Sequence, residues 1–168
     1  MSRPPGLVDV QHQHLGQGCL SSLCRGGTVV LHQSFDPDAW LSTVASEGIN
    51  YAFTVPTMVY ALLDHGHIDL YDTSSLQTLF YGAVPMTPAC IAEAWHVFGP
   101  VLLHGYGQTE SLGMGAGLRK DEHDPVQRPD LLASCGRPVA DASVEISMTR
   151  TRLCRQGRSA SCAYGRRR

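Results

Sequence analysis

Residues 27–55, GTVVLHQSFDPDAWLSTVASEGINYAFTV, decide the fold class of this chain. They begin with a β-branched run that follows two glycines and end with a second such run at 49–55, and both runs are typical of buried strands. Between them, Asp36 is suited to cap a helix and Pro37 to start it. An apolar stripe at helical spacing follows, and Gly48 ends it. The stretch therefore predicts a strand, a helix and a second strand.

The same alternation continues along the chain. Helices are predicted over 56–66 and over 87–99, the second with Thr87 as its N-cap, and strands over 76–84 and 101–107. Alternating strands and helices predict a parallel sheet with covering helices, and near-continuous apolar strands indicate burial on both faces. We therefore predict an α/β fold with a doubly wound, mainly parallel sheet. Residues 113–120, GMGAGLRK, fit no phosphate-binding pattern and are interpreted as a flexible loop.

Length and composition exclude several classes of protein. The chain has 168 residues, of which 43% are hydrophobic and 17% charged, as in an ordinary globular domain. No apolar run approaches the roughly 18 residues that a membrane helix needs, and the N-terminus has no secretory signal pattern. We therefore expect a cytoplasmic protein without a membrane span. Its six cysteines form no CxxC pair and are expected to be free thiols.

Charge is distributed unevenly along the chain. Residues 1–147 carry six basic and fifteen acidic side chains, whereas residues 148–168 carry seven arginines and no acid. The segment 147–168 also lacks apolar periodicity and is predicted to be disordered. It reads as a different kind of sequence from the body that precedes it.

Two unusual glycine-containing segments follow neighbouring predicted strands. They are YGAVP at 81–85 and HGYGQTE at 104–110. Because ligands bind at the carboxyl ends of the strands in such sheets, both segments are expected to face one crevice. Glycine there lets a ligand approach the backbone without a Cβ in the way.

The second segment carries the chemistry that a nucleotide needs. Tyr106 offers a flat face for stacking on a planar ring, and Gly105 and Gly107 bring the backbone within hydrogen-bonding distance of a ligand. Thr109 supplies a hydroxyl for a phosphate oxygen. Glu110 is a hard oxygen ligand suited to Mg²⁺. Base, phosphate and metal together indicate a nucleotide site.

At these residues the chain resembles the adenylate-forming superfamily, in particular AMP-forming acyl-CoA synthetases of the fatty-acid–CoA or aryl-CoA ligase type. YGQTE matches the family motif Tyr-Gly-x-Thr-Glu, and YGAVP matches its Gly-Ala-x-Pro segment. Residues 25–40, 53–63 and 135–146 also resemble the family, in the family's order. The resemblance spans about residues 16–146 and follows a poorly matched segment, 1–15.

The resemblance implies how an adenylate would be held. Tyr106 would stack on adenine, while the backbone of Gly82, Ala83 and Val84 would line the other side of the base and border the acyl pocket. The reaction implied has two steps. ATP and a carboxylic acid give acyl-AMP and pyrophosphate, and the thiol of CoA then displaces AMP.

The resemblance also implies roles for the loop after the fourth predicted strand. Thr109 would contact the α-phosphate and Glu110 would hold Mg²⁺, and these two are the predicted catalytic residues. Gly105 and Gly107 would shape the turn, and His104 would face the carboxylate substrate. Catalysis would come from positioning and from neutralising charge on the α-phosphate.

Several family features have no counterpart in this sequence. They are the phosphate loop that ends in Pro-Lys, the Tyr-x-Thr-Gly-Asp motif, and the small C-terminal domain with its catalytic lysine. We therefore expect a part of the large N-terminal domain, with little or no ligase activity alone. An exposed sheet edge would favour self-association.

Other interpretations remain open. The chain would serve as a non-catalytic nucleotide-binding remnant or regulatory domain if it kept the adenine corner for another use. The tail at 147–168 is either a basic arm for nucleic acid or the product of a shifted reading frame. The acidic body argues against the nucleic-acid interpretation.

Overall fold

The computed structural model of this chain describes residues 6–9, 18–108, 113–140, 142–148 and 160–166. The helices in this part are α1 (Leu20–Cys24), α2 (Pro37–Glu47), α3 (Pro56–Leu63) and α4 (Pro88–Phe98). The strands are β1 (Gly6–Asp9), β2 (Thr28–Leu31), β3 (Tyr51–Thr54), β4 (Thr78–Gly82), β5 (Leu102–Gln108), β6 (Gly113–Leu118), β7 (Arg137–Pro138), β8 (Ala142–Met148) and β9 (Ala160–Arg166).

Strands β1 to β7 form one sheet in the order β2-β1-β3-β4-β5-β6-β7. The five strands from β2 to β5 in this order run parallel, whereas β6 and β7 run antiparallel to their neighbours. The parallel strands and covering helices predicted from the sequence are confirmed. The sheet as a whole is mixed, which the prediction of a doubly wound, mainly parallel sheet did not include.

The prediction of a flexible loop at 113–120 is wrong, because residues 113–118 form β6. Only residues 109–112 join β5 to β6, too short a connection for the helical crossover that a parallel strand requires. The chain therefore turns back, and β6 pairs antiparallel with β5. A further strand, β1, lies within the segment 1–15 and was not predicted.

Residues 160–166, within the tail that was predicted to be disordered, form strand β9, and disorder of the tail as a whole stays a prediction. This strand pairs antiparallel with β8, from Ala142 opposite Arg166 to Met148 opposite Ala160. The segment contains a single arginine, whereas the other tail arginines lie outside it, so local charge does not oppose pairing. Residues 149–159 lie outside the described part of the chain, and both interpretations of the tail stay predictions.

The ends of α2 and the start of α4 follow the predicted capping pattern, whereas α3, predicted over 56–66, ends at Leu63. In α2, the Asp36 carboxylate accepts a hydrogen bond of 2.8 Å from the backbone N–H of Ala39, and Gly48 ends the helix in the left-handed conformation. In α4, the Thr87 hydroxyl accepts from the backbone N–H of Cys90 at 3.3 Å. These caps satisfy N–H groups that a helix leaves unpaired in its first turn.

Helices α2, α3 and α4 and the sheet share one hydrophobic core. Trp40 of α2 is fully buried and meets Phe98 of α4 edge to face, with ring centroids 6.4 Å apart. The core has members from all three helices and from β3, β4 and β5: Trp40, Leu41, Val44, Ala52, Val59, Leu62, Leu79, Tyr81, Ile91, Ala94, Phe98 and Leu102. Packing against these helices fixes β4 and β5 relative to each other.

The outer strands of the seven-stranded sheet are β2 and β7. Leu31, at the end of β2, is 57% exposed, and self-association through a sheet edge stays a prediction. In the described part of the chain, no helix combines the length and apolar character that crossing a membrane requires.

Candidate functional site

A cavity of about 330 Å³ opens where β4 and β5 end. One wall comes from the segment after β4, at 83–86, and a second comes from β5, at 104–108. Residues 132–135 form a third wall. Both segments that the sequence singled out therefore line one cavity, as their positions after neighbouring parallel strands predicted.

Strand register explains why the two segments meet. Gly82, the last residue of β4, lies opposite Gly105 of β5, and β5 continues for three residues beyond Gly105 to Gln108. The chain that follows β4 therefore leaves the sheet beside the last residues of β5, at the carboxyl edge of the parallel strands. The cavity also borders the point where the sheet changes from parallel to antiparallel, because β6 pairs with the far side of β5.

Most of the predicted site residues that the structure describes line the cavity. They are Ala83, Val84, His104, Gly105, Tyr106 and Gly107. Gly82 lies in β4 beside them and does not line the cavity itself. Thr109 and Glu110 lie outside the described residues, so their predicted catalytic and magnesium-binding roles stay predictions. Within the described residues, no group of three or more His, Cys, Asp and Glu side chains is placed to hold a metal ion.

Two of the predicted glycines have a packing role that the sequence did not reveal. A Cβ on Gly105 would meet the ring of Phe80 and the sulfur of Met114, and one on Gly82 would lie 2.6 Å from the carbonyl oxygen of Gly105. Gly117 of β6 continues the row, directly opposite Gly105. The close approach of side chains and strands therefore requires glycine here even without a ligand.

Ala83 adopts a backbone conformation that alanine rarely takes. Its φ is 74°, and among the described residues it is the sole non-glycine residue with positive φ. Strain of this kind is often retained at ligand-binding positions. The loop after β4 therefore holds its shape against a local conformational cost.

Replacing Ala83 by glycine is expected to stabilise the protein. The left-handed conformation costs alanine about 1–2 kcal/mol, and glycine's greater freedom when unfolded offsets part of that gain. We expect Ala83→Gly to raise the free energy of unfolding in urea by about 0.5–1 kcal/mol. The matched control is Ala133→Gly, in a 3-10 turn on the opposite wall, which should lower it. Equal effects of the two changes would contradict the assignment of strain.

Several lining residues were missed by sequence reasoning. Met86 and Ile91 close the apolar end of the cavity together with Leu132, and all three are buried. The third wall at 132–135 comes from a 3-10 turn, Pro129–Ala133, and the residues just after it. The sequence held little evidence for this wall, because only the neighbouring segment 135–146 resembles the family.

Three aromatic side chains, Tyr81, His104 and His123, form a layer under the cavity that we call the aromatic floor. Tyr81 lies between the two histidines, with ring centroids 4.9 Å from His104 and 5.7 Å from His123. The Tyr81 hydroxyl lies 3.0 Å from His123 Nε2. His123 is fully buried, although it comes from the charged segment RKDEHD at 119–124.

The aromatic floor is neutral near pH 7. Burial lowers the pKa of both His104 and His123, and hydrogen bonds with the backbone of Cys135 and Arg119 oppose this in part. Burial also raises the pKa of the Tyr81 hydroxyl above its ordinary value. No Lys, Arg, Asp or Glu side chain occurs in the part of the cavity lining that the structure describes. An uncharged, partly aromatic wall suits a planar base or an apolar acyl group.

Acid should destabilise the fold through these two histidines. Their pKa values are lowered from 6.5 in the folded state, so below pH 6.5 the unfolded chain binds more protons than the folded one. The free energy of unfolding should therefore decrease as the pH is lowered below 6.5, by up to about 1.4 kcal/mol per pH unit for each histidine. Urea denaturation at a series of pH values measures this, and His104→Gln with His123→Gln should flatten the profile. An unchanged slope in that double variant would contradict the prediction.

Cys90 behaves as a packed residue and not as a reactive thiol. Its side chain is buried at the start of α4, and burial raises the pKa of its thiol to about 11. A thiol with so high a pKa is a poor nucleophile near neutral pH. By contrast, Cys135 is exposed and lines the cavity.

Comparison with known proteins identifies relatives of this chain. The medium/long-chain-fatty-acid–CoA ligase FadD8 of Mycobacterium tuberculosis is 36% identical over 157 residues, which are 93% of this chain and 27% of the relative. A feruloyl-CoA synthase of an Amycolatopsis species is 44% identical over 97 residues, or 58% of this chain and 20% of the relative. The chain thus spans less than a third of the length of either relative.

A solved structure shares the fold. The amide bond synthetase McbA of Marinactinospora thermotolerans matches with a TM-score of 0.74 and 33% identity over 86% of this chain and 29% of that protein. The family model described as AMP-binding enzyme matches residues 7–158, a wider span than 16–146 at both ends. The chain therefore belongs to the AMP-binding enzyme family and is homologous to its acyl- and aryl-CoA ligases.

Proposed function

We propose that the cavity holds the acyl-adenylate of an AMP-forming acid–CoA ligase reaction. The observation that carries the proposal is that the segments at 83–86 and 104–108 line one cavity. ATP and a carboxylic acid would give acyl-AMP and pyrophosphate, after which the CoA thiol attacks the acyl carbon and AMP leaves. Family membership supports this class of chemistry.

Adenine would occupy the part of the cavity beside Tyr106. Its ring is half-buried, and the Gln108 side-chain amide lies 3.4 Å from its hydroxyl oxygen, which helps hold the ring in place. Ala83 and Val84 are exposed residues, and their backbone would face the other side of the base. A flat ring opposite bare peptide groups fits a purine, because a purine stacks and accepts hydrogen bonds at its edge.

Phosphate and metal would be held by the residues that follow β5. We propose that Thr109 donates to the α-phosphate and that Glu110 binds Mg²⁺, which supplies positive charge to the phosphates. Since the described lining is uncharged, charge neutralisation would come from these residues and the ion. The cavity walls would contribute by holding the acyl carbon and the α-phosphate in line for reaction.

The acyl group would extend towards the apolar end formed by Met86, Ile91 and Leu132. We propose a fatty or aryl acid as substrate, because one relative is named as a medium/long-chain-fatty-acid–CoA ligase and another as a feruloyl-CoA synthase. His104 would lie beside this group, near the carboxylate carbon. Cytoplasmic location, as predicted from the sequence, belongs to the same proposal.

This chain is expected to bind the nucleotide without catalysing the reaction. We expect AMP to bind measurably by calorimetry, while ATP–pyrophosphate exchange with fatty and aryl acids stays near background. Robust exchange would show that the chain is a self-sufficient enzyme. Absence of AMP binding would refute the adenylate site, and tight binding that no acid improves would favour a non-catalytic nucleotide-binding module.

Cys135 offers a direct test of where AMP binds. Cys135 lines the cavity, whereas Cys24 is also exposed but lies outside the cavity lining. Bound AMP should slow alkylation of Cys135 by iodoacetamide about tenfold at an AMP concentration about ten times Kd. Labelling of Cys24, followed by peptide mass spectrometry, should not change. Equal protection of both thiols, or of neither, would contradict the assignment of the site.

A further inference from the structure

The hydrogen bond between Tyr81 and His123 has a defined direction. His123 Nδ1 lies 2.7 Å from the carbonyl oxygen of Arg119, which only accepts, so Nδ1 carries the proton. In the neutral imidazole Nε2 is then an acceptor, and it receives the hydrogen of the Tyr81 hydroxyl at 3.0 Å. The one donor hydrogen of Tyr81 is therefore committed to His123 and is not available to a ligand.

This bond holds the Tyr81 ring at a fixed tilt inside the core. Tyr81 is 2% exposed and His123 is fully buried, so the bond is shielded from competing water. The carbonyl that orients His123 belongs to Arg119, next to the buried carboxylate of Glu122, which accepts from the Arg119 backbone N–H at 3.0 Å. Glu122 also accepts from Arg137 Nε of β7 at 3.2 Å. The turn that carries His123 is thus bonded to β7, an outer strand of the sheet.

Tyr81 is one of two groups that orient His104, which also has a hydrogen bond with the backbone of Cys135. The two rings lie 4.9 Å apart at an interplanar angle of 43°. His104 Nδ1 is buried, and within the described residues it has no hydrogen-bond partner. Contact with the Tyr81 ring therefore contributes to fixing the imidazole, which also forms part of the cavity wall.

We propose that Tyr81 and His123 are positioning residues that hold His104 against the acyl part of the bound adenylate. This inference rests on the proposed function, because it takes the acyl group to lie beside His104. His123 acts on Tyr81 by its hydrogen bond, and Tyr81 acts on His104 by ring contact. Neither residue is required to touch the nucleotide.

The proposal predicts a selective loss of affinity for the acyl group. Calorimetry on the full chain would compare AMP with 5′-O-(N-benzoylsulfamoyl)adenosine, a non-hydrolysable analogue of an acyl-adenylate. Tyr81→Phe removes the hydrogen bond and keeps the ring, and should weaken binding of the analogue about fivefold. Affinity for AMP should change less than about twofold. The ratio of the two affinities reports on the acyl side and would not move through a general loss of stability.

Two further changes show whether the hydrogen bond itself matters. His123→Gln keeps an acceptor near the position of Nε2 and should retain most of the preference for the analogue. His123→Leu removes the acceptor and should lose the preference for the analogue, as Tyr81→Phe does. The control is Tyr71→Phe, which deletes a hydroxyl bonded to Asp38 at 2.7 Å, away from the cavity, and should leave the ratio unchanged.

A double variant tests whether the effect passes through His104. In a His104→Ala background, Tyr81→Phe should change the affinity ratio no further. If the wild-type chain binds neither probe, the proposed function fails and this inference fails with it. If wild type binds both probes but Tyr81→Phe and His123→Leu leave the ratio unchanged, the inference alone is overturned. If Tyr81→Phe does not fold, comparing the affinity ratios of His123→Gln and His123→Leu tests the inference in the same way.

Discussion

Replacing Gly136 by alanine is expected to lower the free energy of unfolding by about 3 kcal/mol. Gly136 has a φ of 86°, which alanine adopts at a cost of about 1–2 kcal/mol. A Cβ at this position would also fall on the carbonyl group of Gly117, a backbone group in β6 that cannot move aside as a side chain can. Overpacking of this kind costs typically about 1–3 kcal/mol.

Gly26 provides a matched control for this change. Its φ is 76°, close to that of Gly136, but an added Cβ would meet nothing within 4 Å. Gly26→Ala should therefore cost about 1 kcal/mol, the conformational part alone. Urea denaturation of both variants gives the difference. Equal losses would show that β6 and the chain at 136 separate easily, against the close approach seen here.

The change at Gly136 should also weaken the cavity. Gly136 directly follows the third wall at 132–135, and its backbone N–H donates to the Ser134 hydroxyl oxygen at 3.0 Å. Displacing Gly136 from Gly117 would move Ser134 and Cys135 with it. Alkylation of Cys135 should consequently lose part of its protection by AMP in Gly136→Ala and keep it in Gly26→Ala.

Replacing Tyr106 by alanine is expected to weaken AMP binding at least about tenfold, because stacking of a base on an aromatic ring contributes about 1–3 kcal/mol. Tyr106 lies on β5 with its side chain half-buried at the cavity wall. Its exposed portion offers the flat face that the proposed function requires. Calorimetry with AMP on the full chain measures the effect.

Tyr106→Phe separates stacking from the contribution of the hydroxyl. Phenylalanine keeps the ring and loses the contact with Gln108, so AMP affinity should stay within about threefold of wild type. Tyr71→Ala, a change of the same size outside the cavity lining, should leave AMP affinity unaltered. If Tyr106→Ala binds AMP as wild type does, adenine does not stack on this ring and the proposed orientation of the nucleotide is wrong.

The elements that local signals announce were predictable from the sequence. The cap at Asp36, the stop at Gly48 and the cap at Thr87 all occur where the residues indicated, because each depends on atoms a few positions apart. Strands β2, β3, β4 and β5 were predictable because their apolar runs are bounded by such signals, whereas β1 was not predicted. Because the two segments were assigned to neighbouring parallel strands, the sequence also predicted that Ala83 and Tyr106 would line one cavity.

Elements whose stability comes from distant partners were not predictable in this way. Strand β6, GMGAGL, has little strand propensity, and it becomes a strand because β5 and β7 pair with it. From the sequence, Gly105 was predicted to be a position where a ligand approaches the backbone. In the structure, the ring of Phe80 and the sulfur of Met114 also leave no room for a Cβ at this position. His123 lies in a charged segment and gave no sign of burial.

By itself, the sequence of this protein determined the parallel α/β framework and the two segments that meet at its edge, since these follow from hydrogen bonding and periodicity within short stretches. Only the tertiary structure decided the antiparallel turn of the sheet, the third wall at 132–135 and the aromatic floor of Tyr81, His104 and His123. The aromatic floor depends on contacts between residues 23 and 42 positions apart, and β6 also pairs with β7, whose residues lie 20 and 22 positions further along the chain. Such contacts form when the core is packed, and no local pattern of residues encodes them.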